Sequence, residues 1–295
     1  MAEITVELIK TLRDKTSAGM MDCKAALKEA NGDIGAAETV LRKKGIADAD
    51  KKADRAAREG VIAARITDGG KTGILVEVNC ETDFVAKNDK FRTFVEEIID
   101  HIAAGPGVST LPELLAQPSV RDASQSLEVF IKAKVGQLGE NMGLGRFARY
   151  ELAGEGVNGS YIHMQGRVGV LVEVGCTNAA TAASSAFTDF VKDLTLHIAA
   201  AHPICVGRDG VPIEKVEAER DIFREQMKDK PADKIERIID GKLGKFYSIN
   251  CLLDQPFIKD GDKTIQNLLD DLSKASGDTV TVARFQRYAV GEENA

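Results

Sequence analysis

Gly73-Ile74-Leu75-Val76-Glu77-Val78-Asn79-Cys80 returns in closely similar form as Gly169-Val170-Leu171-Val172-Glu173-Val174-Gly175-Cys176. The two stretches are 96 positions apart, and the same offset continues without a gap to the end of the next apolar pattern. Between residues 73–104 and 169–200, 14 of 32 positions are identical. So many matches in one register indicate an internal duplication.

Each copy is predicted to begin with a β-hairpin. The strands are expected at 61–67 and 74–79 in the first copy and at 159–164 and 170–174 in the second. Asp68-Gly69-Gly70 is interpreted as the polar turn of the first hairpin. A helix follows in each copy, because large apolar residues recur at helical spacing. These residues are Phe91, Phe94, Ile98 and Ile102 in the first copy and Phe187, Phe190, Leu194 and Ile198 in the second.

Each copy also ends in a similar strand, Arg146–Tyr150 and Arg284–Tyr288, but this pair is 138 positions apart. The second copy therefore holds about 42 extra residues, which we place around 213–272. Helices are predicted at 213–228 and 232–247, and Lys230-Pro231 between them predicts an antiparallel helical hairpin, since proline cannot continue a helix. A short helix is expected at 264–274.

The first 44 residues predict three short helices, with Asp33 positioned to cap the third. From Lys43 to Glu59 the sequence has almost no large apolar residue, so this segment is interpreted as a helical or extended linker that cannot bury a face. We therefore expect an α+β fold with a helical module at 1–44, a linker at 45–59, core repeat 1 at 60–152 and core repeat 2 at 153–291. The second repeat would contain the hairpin, about 213–247, and the short helix 264–274.

Composition excludes several classes of function. The formal charge of -7 argues against direct nucleic-acid binding, which depends on clustered Lys and Arg. Five dispersed cysteines without a CxxC pair indicate reduced thiols. The chain starts without a signal-like segment, and no apolar run approaches the ~18 residues that span a bilayer. A cytoplasmic protein without membrane contact is expected.

Catalytic and metal patterns are absent from the sequence. Gly70-Lys71-Thr72 lacks the preceding glycine of a phosphate-binding loop, and no serine lies in a GxSxG context. No two histidines have the i, i+4 spacing of metal ligands on a helix. His101 and His197 occupy equivalent repeat positions, as do Cys80 and Cys176, so we interpret both pairs as structural. We expect no enzyme, no cofactor and no metal.

The sharpest difference between the copies indicates a candidate site. Thr82-Asp83-Phe84-Val85 corresponds to Asn178-Ala179-Ala180-Thr181 in the second copy. A short loop is predicted here that presents Asp83 and Phe84 at the edge of the domain, where a large ring is suited to a binding hot spot. The alternative is that Phe84 folds back onto its own core.

A second candidate is Met20-Met21-Asp22-Cys23-Lys24, predicted to be a turn between the first two helices. Two methionines there would offer an adaptable apolar contact surface. The alternative is that the turn seals the small helical core.

These residues resemble the elongation factor Ts family along nearly the whole chain. Residues 18–24 and Asn31-Gly32-Asp33 are similar to its ubiquitin-associated-like N-terminal module. Glu77-Val78-Asn79-Cys80-Glu81-Thr82-Asp83-Phe84-Val85-Ala86-Lys87 is similar to its signature. Gly159-Ser160-Tyr161 and Gln255-Pro256-Phe257 lie where the family has similar segments.

The resemblance implies a guanine-nucleotide exchange factor for elongation factor Tu in translation elongation. The N-terminal module, through Met20, Met21 and Lys24, would dock on the partner's GTP-binding domain. Phe84 would act as a wedge, with Thr82, Asp83 and Val85 around it, that dislocates Mg²⁺ and releases GDP. His163, on a predicted loop, would add a weaker contact. The second half would grip the partner elsewhere, and a homodimer or a heterotetramer with elongation factor Tu stays open.

Two other classes remain to be distinguished. The helical module alone is also compatible with a ubiquitin-type or nascent-chain-binding scaffold, although the duplicated core and the Thr82–Val85 segment argue against it. An enzyme with an unrecognised site would need a ligand-sized pocket lined by titrating side chains.

Overall fold

A computed structural model describes residues 4–16, 18–227 and 232–292, without the side chains of 232–235. Three helices come first: α1 (Val6–Thr16), α2 (Met20–Glu29) and α3 (Ile34–Asp50). Their small core is built from Ile9, Leu12, Cys23, Leu27 and Ala37. As predicted, the Asp33 side chain caps α3, accepting a hydrogen bond from the Ala36 N–H at 2.6 Å.

The first repeat contains β1 (Glu59–Thr67), β2 (Thr72–Cys80), the one-turn α4 (Asp83–Ala86), α5 (Asp89–Ala104) and α6 (Leu111–Ala116). It continues with β3 (Pro118–Ser119), β4 (Asp122–Ser126), α7 (Leu127–Leu138) and β5 (Met142–Glu151). The second repeat starts with β6 (Glu155–His163), β7 (Val168–Cys176), the one-turn α8 (Ala179–Ala182) and α9 (Ser185–Ala201). It then has α10 (Ile213–Gln226), α11 (Ala232–Asn250), β8 (Pro256–Phe257), β9 (Asp260–Thr264), α12 (Ile265–Ser276) and β10 (Thr281–Ala289).

Each repeat has one three-stranded sheet, in the order β1-β2-β5 in the first and β10-β7-β6 in the second. In the second sheet both β6 and β10 pair with β7 in antiparallel fashion. The α+β fold predicted from the sequence is therefore confirmed.

The chain divides into two compact units, one of Met1–Ala63, Val76–Phe147 and Val290–Ala295, the other of Ala64–Leu75 and Ala148–Ala289. In the first, Phe91 and Phe94 are fully buried, and the Phe94 ring lies 6.3 Å from that of Phe130. In the second, a core cluster combines strand β7 with α9 and α12. Its members include Phe187, Leu194, Ile198, Leu252, Phe257 and Leu269.

The extra residues of the second copy lie in a narrower segment than we predicted. Gln117 and Gln255 are 138 positions apart, and so are the starts of α7 and α12. Helix α12, with Thr264 as its cap, is therefore the counterpart of α7 and belongs to the duplicated core. The surplus is confined to the segment around α10 and α11. The sequence prediction missed this because α7 and α12 share little sequence.

Helices α10 and α11 form the predicted hairpin. Arg220 pairs with Glu236 and Asp240, and the Lys242 ammonium lies 5.0 Å from the centre of the Phe223 ring. Ile239 and Leu243 of α11 are buried. The predicted reversal at Lys230-Pro231 lies outside the described residues.

The prediction that residues 43–59 cannot bury a face was wrong for the part up to Asp50. Helix α3 continues to that residue, and Gly45 and Ala49 are buried. A Cβ on Gly136 of α7 would lie 2.5 Å from the Gly45 Cα, so two glycines allow the two helix backbones to touch. The buried face of α3 in this segment consists of small residues, so the lack of large apolar residues did not indicate that the face is exposed.

The two equivalent histidines are structural, as predicted. The N–H of Val120 donates to Nδ1 of His101, so Nε2 carries the proton and donates to Oε1 of Gln117 at 3.1 Å. In the second copy, Ile258 N–H and Gln255 Oε1 make the same two contacts with His197. Burial lowers the pKa of both rings, which keeps them neutral.

Candidate functional site

The segment Thr82–Val85 is a helical turn, not the loop that we predicted. Helix α4 begins at Asp83, and the hydroxyl of Thr82 accepts a hydrogen bond from the Val85 N–H at 3.3 Å. Threonine is a common helix cap because its side-chain oxygen satisfies an otherwise unpaired amide. The turn therefore has a fixed backbone conformation.

The side chain of Phe84 points into solvent and is 82% exposed. Its neighbours Val85 and Ala86 are half-buried and buried, so the turn is anchored by the residues that follow the ring. The alternative in which Phe84 folds back onto its own core is excluded. An exposed phenylalanine on an ordered turn is unusual, since covering it would remove a large apolar area from water.

Two carboxylates fasten this turn to the segment before β5. Glu140 accepts hydrogen bonds from the Thr82 N–H at 3.0 Å and the Thr82 hydroxyl at 2.7 Å. In return, Glu81 accepts one from the Asn141 N–H at 2.6 Å. The two segments thus hold each other reciprocally. Glu140 was not among the predicted site residues, although the offset of 138 relates it to Asp278, which accepts the equivalent Asn178 N–H in the second copy.

Asp83 is engaged within its own turn. Its carboxylate lies 2.7 Å from the Lys87 ammonium, and both side chains are at least half exposed. The hydrogen bond from Lys87 lowers the pKa of Asp83. Solvent screens an exposed ion pair of this kind, so Asp83 can exchange Lys87 for another partner at small cost.

Cys80 closes the strand before the turn, with its sulfur 3.2 Å from the Thr82 carbonyl oxygen. Burial raises the pKa of this thiol to about 12, which leaves it protonated and unreactive at neutral pH. Cys176 makes the same contact with the Asn178 carbonyl at 3.4 Å. The structural role expected for both cysteines is confirmed.

The second copy has the same turn without the ring. Helix α8 is capped by Asn178, and Asp278 accepts hydrogen bonds from Thr177 and from the Asn178 N–H. The contacts with Thr177 are the main reason that the pKa of Asp278 falls to about 2. Ala180 stands where the first copy has Phe84. The backbone is common to both copies, and only the first presents a large apolar side chain.

The N-terminal candidates lie on the first turn of α2, not on a turn between helices as we expected. Met20 is 51% exposed and Met21 75%, so they do not seal the helical core. Lys24 is also exposed, one turn further along. The core is instead closed by Cys23 and Leu27 on the other side of the helix.

His163 is the last residue of β6, so it lies in the strand predicted at 159–164 and not on the loop where we had placed its contact. Its Nδ1 lies 2.9 Å from the Tyr161 hydroxyl, and the ring is exposed. Met164 and Gln165, which follow, have positive φ angles of 49° and 56° and turn the chain into β7. His163 lies in the second compact unit, and the Thr82–Val85 turn and Met20, Met21 and Lys24 lie in the first.

Two other kinds of site, a metal centre and a membrane span, have no counterpart in the described residues. Within 4–16, 18–227 and 232–292, no group of three or more His, Cys, Asp or Glu side chains is arranged to hold a metal ion. In the same part of the chain, no helix combines the length and apolarity that crossing a membrane requires.

Fold and site together define a duplicated α+β protein with a helical N-terminal module, in which one copy displays an aromatic ring on a fastened turn. A family model described as "Elongation factor TS" matches residues 81–292. The chain is 45% identical to elongation factor Ts of Trichlorobacter lovleyi, covering 98% of this chain and 93% of that protein. It is 42% identical to elongation factor Ts of Nostoc sp., covering 99% and 94%. The chain therefore belongs to the elongation factor Ts family, whose members are translation elongation factors.

Proposed function

We propose that this protein is the guanine-nucleotide exchange factor of elongation factor Tu. It binds the GDP-bound partner, dislocates Mg²⁺ and promotes GDP release so that GTP can bind. It works by binding alone, as neither an enzyme nor a cofactor-dependent protein, and it acts in the cytoplasm without direct contact with nucleic acid. The exposed Phe84 ring on its fastened turn is the observation that carries this proposal.

Phe84 is suited to insertion between elements of another protein. Fully burying a phenylalanine side chain contributes about 1.5 to 3 kcal/mol. The Thr82 cap and the Glu140 contacts already hold the backbone, so little conformational freedom is lost on binding. A ring presented in this way can displace apolar side chains of a partner.

In the proposed mechanism, Phe84 enters between helices beside the switch region of elongation factor Tu. Asp83 leaves Lys87 and bonds to the partner nearby, at the small cost that an exposed ion pair implies. The groups of the partner that hold Mg²⁺ and the phosphates then shift, and GDP dissociates. Thr82 and Val85 keep the turn in place during this step.

The N-terminal module, residues 1–44, provides the first docking contact in this proposal. Met20 and Met21 offer flexible apolar side chains that adapt to a surface, and Lys24 adds a positive charge. His163 is assigned a weaker contact, because Tyr161 already holds its ring. The hairpin and α12 would hold the partner elsewhere.

Thermodynamic linkage explains why broad docking is needed. A protein that binds nucleotide-free elongation factor Tu more tightly than the GDP complex weakens GDP binding by the same factor. A shift of ten-thousandfold requires about 5.5 kcal/mol of differential binding. One buried ring and one new bond from Asp83 supply only part of this, so the N-terminal module and the second repeat must contribute the rest.

The test is stopped-flow release of a fluorescent GDP from elongation factor Tu. The native chain should accelerate release, Phe84→Ala should lose most of the acceleration while still binding, and Asp83→Ala should lose a smaller part. Val120→Ala is the matched control, because Val120 is an apolar side chain of the same compact unit and is 46% exposed. Replacing Met20 and Met21 by Ala should raise the concentration of this protein that gives half-maximal GDP release. The maximal rate of release should stay unchanged.

If the native chain does not accelerate release, the proposed function is wrong. If it does and Phe84→Ala behaves like Val120→Ala, exchange is real and the wedge is located elsewhere.

A further inference from the structure

Two of the five cysteines meet at the base of the helical hairpin. The sulfur atoms of Cys205 and Cys251 are 3.6 Å apart. The two residues form an isolated parallel β-bridge, a pairing that places Cα atoms roughly 5 Å apart. A disulfide requires a Cα separation of about 4.4 to 6.8 Å, so the backbone already satisfies the condition for a bond.

This contact lies where the hairpin leaves and rejoins the core. The N–H of Ile204 donates to the Asn250 carbonyl at 2.9 Å, and the N–H of Leu252 donates to the Cys205 carbonyl at the same distance. The N–H of Leu253 donates to the Val206 carbonyl at 3.0 Å. A bond between the sulfurs would enclose residues 206–250, which include all of α10 and α11. It would also fix the two chain segments that meet at this base.

We propose that Cys205 and Cys251 form a reversible redox site whose disulfide locks the base of the hairpin. The reactant is a low-molecular-weight disulfide such as oxidised glutathione. Closing the bond restrains the hairpin without altering the Thr82–Val85 turn, which lies in the other compact unit.

The chemistry balances as two thiol–disulfide exchanges. The Cys205 thiolate attacks one sulfur of glutathione disulfide, forming a mixed disulfide and releasing one glutathione thiolate. The Cys251 thiolate then attacks the Cys205 sulfur and releases the second glutathione. Two protein thiols are oxidised, one glutathione disulfide is reduced to two thiols, and the two protons pass from the cysteines to glutathione.

Burial determines the order of these steps. Cys205 is partly exposed, whereas Cys251 is fully buried, so the external reactant reaches Cys205 first. Gly210 packs beside it, where an added Cβ would lie 2.9 Å from the Cys205 Cβ. Desolvation raises the pKa of both thiols, that of Cys251 to about 12, so closure should be slow at neutral pH and faster in mildly alkaline buffer.

The test treats the reduced full chain with glutathione disulfide under native conditions and identifies the products by mass spectrometry. The native protein should lose two hydrogen atoms and yield one linked peptide containing Cys205 and Cys251, and dithiothreitol should reverse this. Cys251→Ser should retain one glutathione on Cys205, and Cys205→Ser should retain none on Cys251. Cys176→Ser, the matched control at the other partly exposed cysteine, should close as the native chain does.

Hydrogen exchange provides a second readout that does not depend on any variant. In the oxidised protein, exchange of the Leu252 and Leu253 amides should slow by about tenfold or more, because the bond opposes local opening of the base. A native chain that retains glutathione on Cys205 without closing, that links other cysteines or that joins two chains would overturn the proposal. So would unchanged exchange at Leu252 and Leu253 after closure.

Discussion

The Glu140 carboxylate holds both the backbone N–H and the hydroxyl of Thr82, at 3.0 Å and 2.7 Å. Thr82 uses the same hydroxyl oxygen to cap the turn that carries Phe84. The position of the exposed ring therefore depends on a residue 58 positions further along the chain. In the second copy, where no ring is presented, Asp278 accepts hydrogen bonds from the equivalent N–H of Asn178 and also from the N–H of Thr177.

Replacing Glu140 by Ala should reduce exchange activity through the turn and not through lost contact area. Removing hydrogen bonds to a charged group lowers the free energy of unfolding by about 1 to 3 kcal/mol. The GDP-release rate should fall severalfold in the same variant, because Phe84 would lose its fixed orientation. Chemical denaturation and stopped-flow release measure the two effects.

Asp278→Ala is the matched control, since it loosens the equivalent turn that carries Ala180. It should also lower stability, yet leave the rate of GDP release unchanged. Equal losses of activity in both variants would mean that Glu140 acts only through global stability.

Below about pH 6.5, the protein should lose stability because of its two buried histidines. Burial lowers the folded-state pKa of His101 and His197 below the unfolded value, so the unfolded chain binds protons first. The stabilisation is complete above about pH 6.5 and is lost as the pH falls from there through the lowered folded pKa. Denaturation curves at several pH values measure this loss of stability.

A double variant, His101→Asn and His197→Asn, is less stable at neutral pH but should show a flatter dependence between about pH 6.5 and 5. If the slope of the native chain survives in the double variant, other groups cause it.

Adding one methyl group at Gly136 should disturb the contact between α3 and α7. A Cβ there would lie 2.5 Å from the Gly45 Cα, which forces the helix backbones apart. Overpacking of this kind costs about 1 to 3 kcal/mol, more than the gain in helix propensity from alanine. We expect Gly136→Ala to lower the free energy of unfolding and to expose α3 to proteolysis.

Gly244→Ala controls for helix propensity, because Gly244 also lies in a helix and its Cβ would meet nothing within 4 Å. That variant should be as stable as the native chain or slightly more so. A stable Gly136→Ala variant would contradict the close approach of α3 and α7.

Breaking the equivalent ion pairs of the two sheets should lower the free energy of unfolding by unequal amounts. Glu77 pairs with Arg146 at 2.6 Å, and both side chains are largely buried. Glu173 pairs with Arg284 at 2.8 Å, but the Arg284 side chain is 49% exposed and stacks on Tyr150. Removing one partner of a buried pair costs about 3 to 5 kcal/mol, whereas exposed pairs contribute about 0 to 1 kcal/mol.

Glu77→Gln should therefore lower the denaturation midpoint much more than Glu173→Gln, which serves as its control. Equal shifts would show that the two guanidinium groups are solvated to the same extent.

Local sequence patterns predicted the duplication, the α+β class and most helices and strands, and they made Thr82–Val85 the candidate site. These features follow from local patterns: strand and helix periodicity, capping residues and two similar stretches at one offset. The exposure of Phe84 was left open, because a phenylalanine after a strand packs inward as readily as outward.

Three contacts between distant residues follow only from how the elements pack. Glu140 reaches Thr82, Gly45 touches Gly136, and Cys205 lies against Cys251. None of these pairs has a periodic or adjacent signature in the sequence, because each depends on how separate elements pack. Packing also showed that α12 is the counterpart of α7, since the sheet and helix positions are retained where the side chains are not.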